Sequence, residues 1–236
     1  VYPATCNPDD VLATIDAKRE TYLFTDIMCD GYYPYWLTKL WDKRGVRPEI
    51  RDGELETIRD NTVDYLGFSY YFSNVCKYQE GHMYDGGALV PGGAKAANEY
   101  CNEFSPDPWR FRKDPKGFRI LIEEYADRYH LPLFIAENGI GLYEDESSGV
   151  PIQDPERVKY LEEHLKQLHM AIEDGAPVFG YCWWGPIDLV SSGSGEMDKR
   201  YGFIYVDYHN DGTGDLHRSI KQSYYRYKEI IADNGL

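Results

Sequence analysis

An α/β fold, with parallel strands under packed helices, is predicted by three observations. Leu131 to Ala136 is continuously apolar, runs into Glu137 and stops at Asn138-Gly139, as a strand covered on both faces does. Val178 to Trp184 is a second such run, leading into Ser191-Ser192-Gly193-Ser194-Gly195. Between them lies the clearest helical pattern in the chain, with Val158, Leu161, Leu165, Leu168 and Ile172 on one face. Glu137 is thereby placed at the carboxyl end of a strand, where barrels and open α/β sheets carry their chemistry. The alternative for a lone Glu there is a solvated loop residue.

In chain order, Asn7-Pro8-Asp9-Asp10 starts a helix, with Asn as cap, Pro first and acids at the positive end of the dipole. It is expected to run through about Tyr22. After Gly31-Tyr32-Tyr33-Pro34, the residues Trp36, Leu37, Leu40 and Trp41 have helical spacing until Gly45. A short helix is expected near Leu55 to Arg59, then a strand from Asp64 to Phe72 ending in Ser69-Tyr70-Tyr71. Residues 73–113 carry Gly81, Gly86, Gly87, Gly92 and Gly93 with little periodicity and read as a long loop over a site or a surface insertion.

Asp114-Pro115 caps a helix whose face is Phe118, Leu121, Ile122 and Tyr125. Gly139 to Gly149 is loop, and Asp154-Pro155-Glu156 opens the helix that Gly175 ends, on which His164, His169 and Met170 read as surface or packing residues. Tyr201 to Asp207 resembles a hairpin strand with a turn at Asp211-Gly212. A final helix from about Ser219 is expected to bury Ile220, Tyr224, Tyr227 and Ile231. Strand, loop, helix, strand, loop, helix, strand is the rhythm of a β/α barrel with right-handed crossovers. Such a barrel needs eight strands and about 250 residues, and only three core strands are legible here. The expectation is the C-terminal half of a (β/α)8 TIM barrel, residues 1–236 forming half of a single catalytic domain whose N-terminal half is absent from this chain. The opening Val1-Tyr2-Pro3, without Met, reads like mid-loop and suggests a fragment or one piece of a cut chain.

Composition restricts the partners. The formal charge of −15 argues against nucleic acid or an anionic membrane surface, which excess Lys and Arg would hold. Five cysteines, widely spaced and free of C-x-x-C pairs, indicate neither a disulfide framework nor a zinc site. A cytoplasmic location is expected, with no membrane span, no metal and no cofactor. A homo-oligomer is left open.

The segment Phe134-Ile135-Ala136-Glu137-Asn138-Gly139 resembles the nucleophile segment of glycoside hydrolase family 1, and YPATCNPDDV at the start, LGFSYY at 66–71, the Trp184 segment and KRYGFIYVD at 199–207 match in the family's order. The resemblance implies a retaining glycosidase in which Glu137 is the nucleophile and a second carboxyl is acid and base. That partner belongs to an Asn-Glu motif not found here, so this chain alone is expected to be inactive. Glu144 and Glu146 read as solvated loop acids. Tyr71 matches the family Tyr that hydrogen-bonds the nucleophile; Ser69 stands where Asn is usual, and Trp184 matches the sugar-platform Trp. Phe111 stands where relatives often have Trp.

Where the wider family reads W-S-x-x-D-N-F-E-W, this chain reads Trp184-Gly185-Pro186-Ile187-Asp188-Leu189-Val190-Ser191-Ser192. Ser in place of Glu resembles the branch acting on 6-phosphorylated sugars, since a carboxylate repels phosphate and a hydroxyl donates to it. The same branch implies that Ser191, Lys199 and Tyr201 share the phosphate, and the small Ser192 matches glucosides over galactosides, with an uncertainty of one position between the two serines. Glu196 and Asp198 put negative charge nearby, and the alternative for Lys199-Arg200 is a solvated pair balancing them. A 6-phospho-β-glucosidase is the implied activity, with a phosphorylated β-glucoside as substrate. An ordinary β-glucosidase and a non-catalytic sugar-phosphate binder are the alternatives.

Overall fold

The structure is a computed structural model describing residues 1–78, 103, 105–106 and 112–236. Its elements are β1 (Tyr2–Pro3), α1 (Pro8–Asp30), α2 (Leu37–Arg44), α3 (Glu54–Asp60), β2 (Leu66–Tyr70), β3 (Val75–Cys76), α4 (Pro115–Tyr129), β4 (Leu133–Asn138), α5 (Pro155–Glu173), β5 (Val178–Trp183), β6 (Ile204–Val206), β7 (Arg218–Ile220) and α6 (Gln222–Asp233). Most of the expected 73–113 loop, and Phe111 with it, lies outside the described residues. The chain forms two units: Val1–Leu66 with Asn74–Glu99 and Asp127–Leu131, and Gly67–Ser73 with Tyr100–Ala126 and Pro132–Leu236.

In the first unit β1 and β3 pair in parallel. Asn7 caps α1 by accepting from the Asp9 amide at 3.1 Å. The helix continues to Asp30, well past the expected Tyr22, because no Gly or Pro interrupts it before Gly31, whose φ of 74° forms a left-handed cap. The buried stripe of α1 is partly polar. Asp10 accepts from the Thr5 hydroxyl at 2.6 Å and the Tyr78 amide at 2.7 Å, and Asp26 accepts from Arg128 at 2.7 and 2.6 Å and from the Tyr129 hydroxyl at 2.7 Å. Leu12, Ile15, Phe24 and Met28 of the same helix are exposed.

In the second unit the three-stranded sheet has the order β2-β4-β5, with β4 and β5 parallel. Side chains of α4 cover β2: Phe118 stacks on Tyr70 at 5.2 Å and Tyr125 meets Phe68 edge-on at 5.0 Å. A core cluster joins Ile140, Leu142, Tyr160, Leu161, Trp183, Phe203 and Ile230. The expectation that β4 is covered on both faces is corrected: Leu133 and Ile135 are buried, but Ala136 is exposed, as are Ser69 of β2 and Cys182 of β5. One face of this sheet is open in the chain.

Two helices are rotated or shifted relative to expectation. The buried face of α5 is Arg157, Tyr160, Leu161, His164, Leu168 and Ala171, and Ile172 is exposed. An apolar-only stripe passes over Arg157 and His164, both fully buried. The last helix begins at Gln222, since Ser219 and Ile220 belong to β7, where they pair with Tyr205 and Ile204 of the antiparallel β6. Ile230 is buried and Ile231 is 63% exposed.

The second unit also contains a buried charge network. Arg157 donates to Asp154 at 3.0 Å, Glu144 at 2.6 Å, and the carbonyls of Ile140, Tyr201 and Arg200 at 2.9, 2.9 and 3.1 Å. Lys221 donates to Glu144 at 2.5 Å and Asp188 at 2.9 Å. Glu144 is therefore not a solvated loop acid. Burial alone would raise its pKa, but Arg157 and Lys221 outweigh burial and hold it below the usual carboxylate range. Arg200 is also fully buried, donating to the carbonyls of Val206 at 2.8 Å and Glu144 at 3.1 Å and lying 4.2 Å over the Tyr205 ring. Lys199-Arg200 is thus no solvated pair.

Removing one partner of a buried ion network strands the rest without water. In the full-length protein, Arg157→Leu is expected to lower the unfolding free energy by about 3–5 kcal/mol. The shift of the denaturant midpoint measures this, and a loss under about 1 kcal/mol would refute it.

Candidate active site

Glu137 is the penultimate residue of β4 and is half-buried. Tyr71, one residue beyond β2, donates its hydroxyl to Glu137 Oε2 at 2.9 Å. The phenol pKa is raised, first by burial and then by this bond to Glu137, so Tyr71 keeps its proton and serves as donor. Adjacent strand ends thus bring a carboxylate and its hydrogen-bond donor together.

The next residue, Asn138, is fully buried. Its Nδ2 donates to the Tyr70 carbonyl at 2.8 Å and the Tyr160 hydroxyl at 3.1 Å, and its Oδ1 accepts from Tyr181 at 2.9 Å. Its carbonyl accepts from the Trp184 amide at 2.9 Å, which ties the end of β4 to the half-buried Trp184. The Trp184-Gly185 peptide is cis. Ser69 and Ser192 are both exposed.

The other expected group converges. Ser191 is buried and is hydrogen-bonded to the Tyr201 side chain, a contact that opposes the burial raising the Tyr201 pKa. Lys199 and Tyr201 lie together over Gly141: a Cβ there would come within 2.8 Å of Lys199 Cγ and 3.0 Å of Tyr201 Cζ, so a side chain at 141 would displace both. Burial lowers the Lys199 pKa, against the attraction of Glu196. Asp198 points elsewhere, to His209 Nδ1 at 2.9 Å. The Tyr201 phenol is also close enough to Tyr71 to contribute to the latter's raised pKa, which joins the two clusters.

With this geometry in place, the comparisons can be read. The family model described as Glycosyl hydrolase family 1 matches residues 1–236. The chain belongs to that family. Among family 1 relatives, it is 41% identical over 234 residues to an aryl-phospho-β-D-glucosidase of Bacillus subtilis, covering 99% of this chain and 49% of that protein. It is 42% identical over 240 residues to a 6-phospho-β-glucosidase of Clostridium longisporum, covering 100% of this chain and 49% of the other. The family 1 β-glucosidase structure of Thermotoga maritima superposes with a TM-score of 0.79 at 23% identity, over 100% of this chain and 49% of that one. The fold is thus the C-terminal half of a family 1 TIM barrel, and the chain spans about half the length of the curated relatives it matches.

The motifs pointed to Tyr71, Glu137, Ser191, Lys199 and Tyr201; they did not single out Asn138, Tyr160 or Arg157. A signal was present in Arg157 and Tyr160, three apart on one helix face. Among the described residues, Asp207, Asp215 and His217 have donor atoms close enough for a metal. Both His217 nitrogens are already engaged, Nδ1 with Asp215 at 2.6 Å and Nε2 with Glu146 at 2.9 Å, an arrangement that suits an imidazolium. Glu146 also accepts from Ser219, so it too is paired.

Glu146 and then Asp215 raise the His217 pKa to about 9. Since the folded value lies above the ordinary one of about 6.5, the stabilisation is full below that pH and is lost as pH rises through about 9. An NMR titration of the His217 ring should give a midpoint near 9, moving down in Glu146→Gln. An ordinary midpoint in the wild type would refute the clamp.

Proposed function

We propose that the full-length protein is a retaining glycosidase that hydrolyses 6-phospho-β-D-glucosides to glucose 6-phosphate and an aglycone. The observation that carries this reading is the convergence of Ser191, Lys199 and Tyr201 over Gly141, beside the Tyr71–Glu137 pair. The names of the relatives in Bacillus subtilis and Clostridium longisporum support it.

In this mechanism Glu137 attacks the anomeric carbon and forms a glycosyl-enzyme ester, which water then hydrolyses. Tyr71 orients the carboxylate. The acid/base carboxyl, about 5–5.5 Å from the nucleophile in retaining enzymes, comes from the preceding half of the barrel. That half also covers the open sheet face at Ser69, Ala136 and Cys182 and the apolar side of α1, so that both halves make one catalytic domain. Trp184 offers an apolar face to the sugar ring. Ser191, Lys199 and Tyr201 bind the phosphate, and Ser192 leaves room for the gluco configuration. No described helix is long and apolar enough to cross a membrane, and Cys6, Cys29, Cys76 and Cys182 are free thiols, which supports a cytoplasmic location.

Two experiments test the reading in the full-length protein. Glu137→Gln should lower turnover by roughly a thousandfold or more, because covalent catalysis is lost. A 2-fluoroglycoside 6-phosphate should label Glu137, and a label on any other carboxylate would refute the assignment.

Charge-assisted hydrogen bonds to phosphate are worth about 1.5–3 kcal/mol each. Lys199→Ala should therefore lower kcat/KM for the 6-phosphoglucoside by about tenfold to a hundredfold or more, while activity on the unphosphorylated glucoside changes little. Equal losses on both substrates would favour an ordinary β-glucosidase. Tight binding of the phosphorylated sugar without any turnover would favour a binding protein.

A further inference from the structure

We propose that Tyr160 is a positioning residue for Glu137, coupling the orientation of Asn138 to that of Tyr71 so that the carboxylate is held from both sides. The inference rests on the reading of Glu137 as nucleophile and adds a residue that touches neither substrate nor the reacting atoms.

The proton directions follow from the partners. The Tyr70 carbonyl can only accept, so the Asn138 amide group must present Nδ2 to it at 2.8 Å. The Tyr181 hydroxyl then donates to Oδ1 at 2.9 Å. The single hydroxyl proton of Tyr160 goes to the Tyr71 carbonyl at 3.0 Å, so the Tyr160 oxygen accepts from Asn138 Nδ2 at 3.1 Å. The Tyr71 side chain donates to Glu137 at 2.9 Å, and Glu137 is covalently joined to Asn138. The result is a closed circuit: Asn138 to Tyr160, Tyr160 to the Tyr71 main chain, Tyr71 to Glu137, and the peptide bond back to Asn138.

Tyr160 is rigid enough to serve. Its ring is 1% exposed, stacks on His164 at 3.8 Å and meets Trp183 edge-on at 6.0 Å. His164 is held in turn through Nδ1 at 2.8 Å from the Tyr160 carbonyl. A buried hydroxyl with two directional bonds and locked ring neighbours transmits position, whereas the same ring without oxygen fills the space but leaves the circuit open.

The test uses the full-length enzyme with Tyr160→Phe, Tyr71→Phe and the double variant, assayed on a chromogenic 6-phosphoglucoside. Tyr160→Phe should lower kcat by about tenfold to a hundredfold, the scale of a small misplacement of a reacting group, with KM changed less than about twofold. The rate of labelling by the 2-fluoroglycoside 6-phosphate should fall in parallel. In the Tyr71→Phe background the second substitution should add little, because it acts through a contact already lost. Should Tyr160→Phe fail to fold, Tyr181→Phe, which frees Asn138 from the other side, is expected to lower kcat in the same way. Additive losses in the double variant, or a rise in KM at unchanged kcat, would overturn the proposal. Full turnover by Glu137→Gln overturns both this proposal and the nucleophile reading; loss of turnover by Glu137→Gln with wild-type kcat in Tyr160→Phe overturns the positioning role alone.

Discussion

A guanidinium taken fully out of water must have all five of its N–H groups met, and Arg157 meets them with two carboxylates and three carbonyls. Those carbonyls belong to Ile140, just beyond the Glu137 strand, and to Arg200 and Tyr201, in the segment that carries the candidate phosphate ligands. One side chain on α5 therefore sets the loop after the nucleophile strand and the segment 199–201 in a common frame. A slip of either loop would leave a buried donor unpaired, at a cost of about 1–3 kcal/mol or more because the donor is charged. The candidate phosphate group inherits its geometry from this constraint. The nucleophile inherits its own from the neighbouring polar hub of Asn138 and Tyr160, whose ring lies on the same helix face three residues on.

Local signals reached far in this chain and failed where the deciding partner is distant in sequence. The Glu137 strand was legible because continuous apolar character needs no partner to be read, and Gly45 stopped its helix as expected because a left-handed cap is a property of one residue. The family motifs placed Tyr71 near Glu137 across sixty-six positions, which periodicity alone does not reach. The burial of Glu144 and Arg200 was not legible, since a charged residue reads as solvated until its counter-ion is found, and here the counter-ion is Lys221 for one and a set of carbonyls for the other. The phase of α5 was misread for the same reason: its inner face includes an arginine and a histidine. In the last helix, Ile230 and Ile231 are equally apolar, and only the start of the helix at Gln222 decides which of them turns inward.

The open face of the sheet explains a contrast within β4. Leu133 and Ile135 face the helical layer and are fully buried, while Ala136, on the other side, is exposed. A barrel wall needs side chains on its lumen side from strands around the ring, and three adjacent strands supply only part of that filling. Ser69, Ala136 and Cys182 are all small, so the space over them suits bulkier groups arriving from elsewhere. The same openness brings Glu137 to the surface of this chain with one donor in place and room for a substrate and a second carboxyl above it.

Lys199 and Tyr201 flank Arg200 in an extended segment bridged to Leu142 by paired main-chain bonds of 2.9 Å. With a two-residue period, the anchor points inward and its neighbours point together toward Gly141. Ligand choice and scaffold are thus assigned to alternate residues of the same few ångströms of chain. Positions 199 and 201 can be exchanged by mutation while the bolt at 200 stays closed, which makes the segment a replaceable cartridge. A barrel built this way can drift between phosphorylated and plain sugars over evolutionary time without passing through an unfolded ancestor.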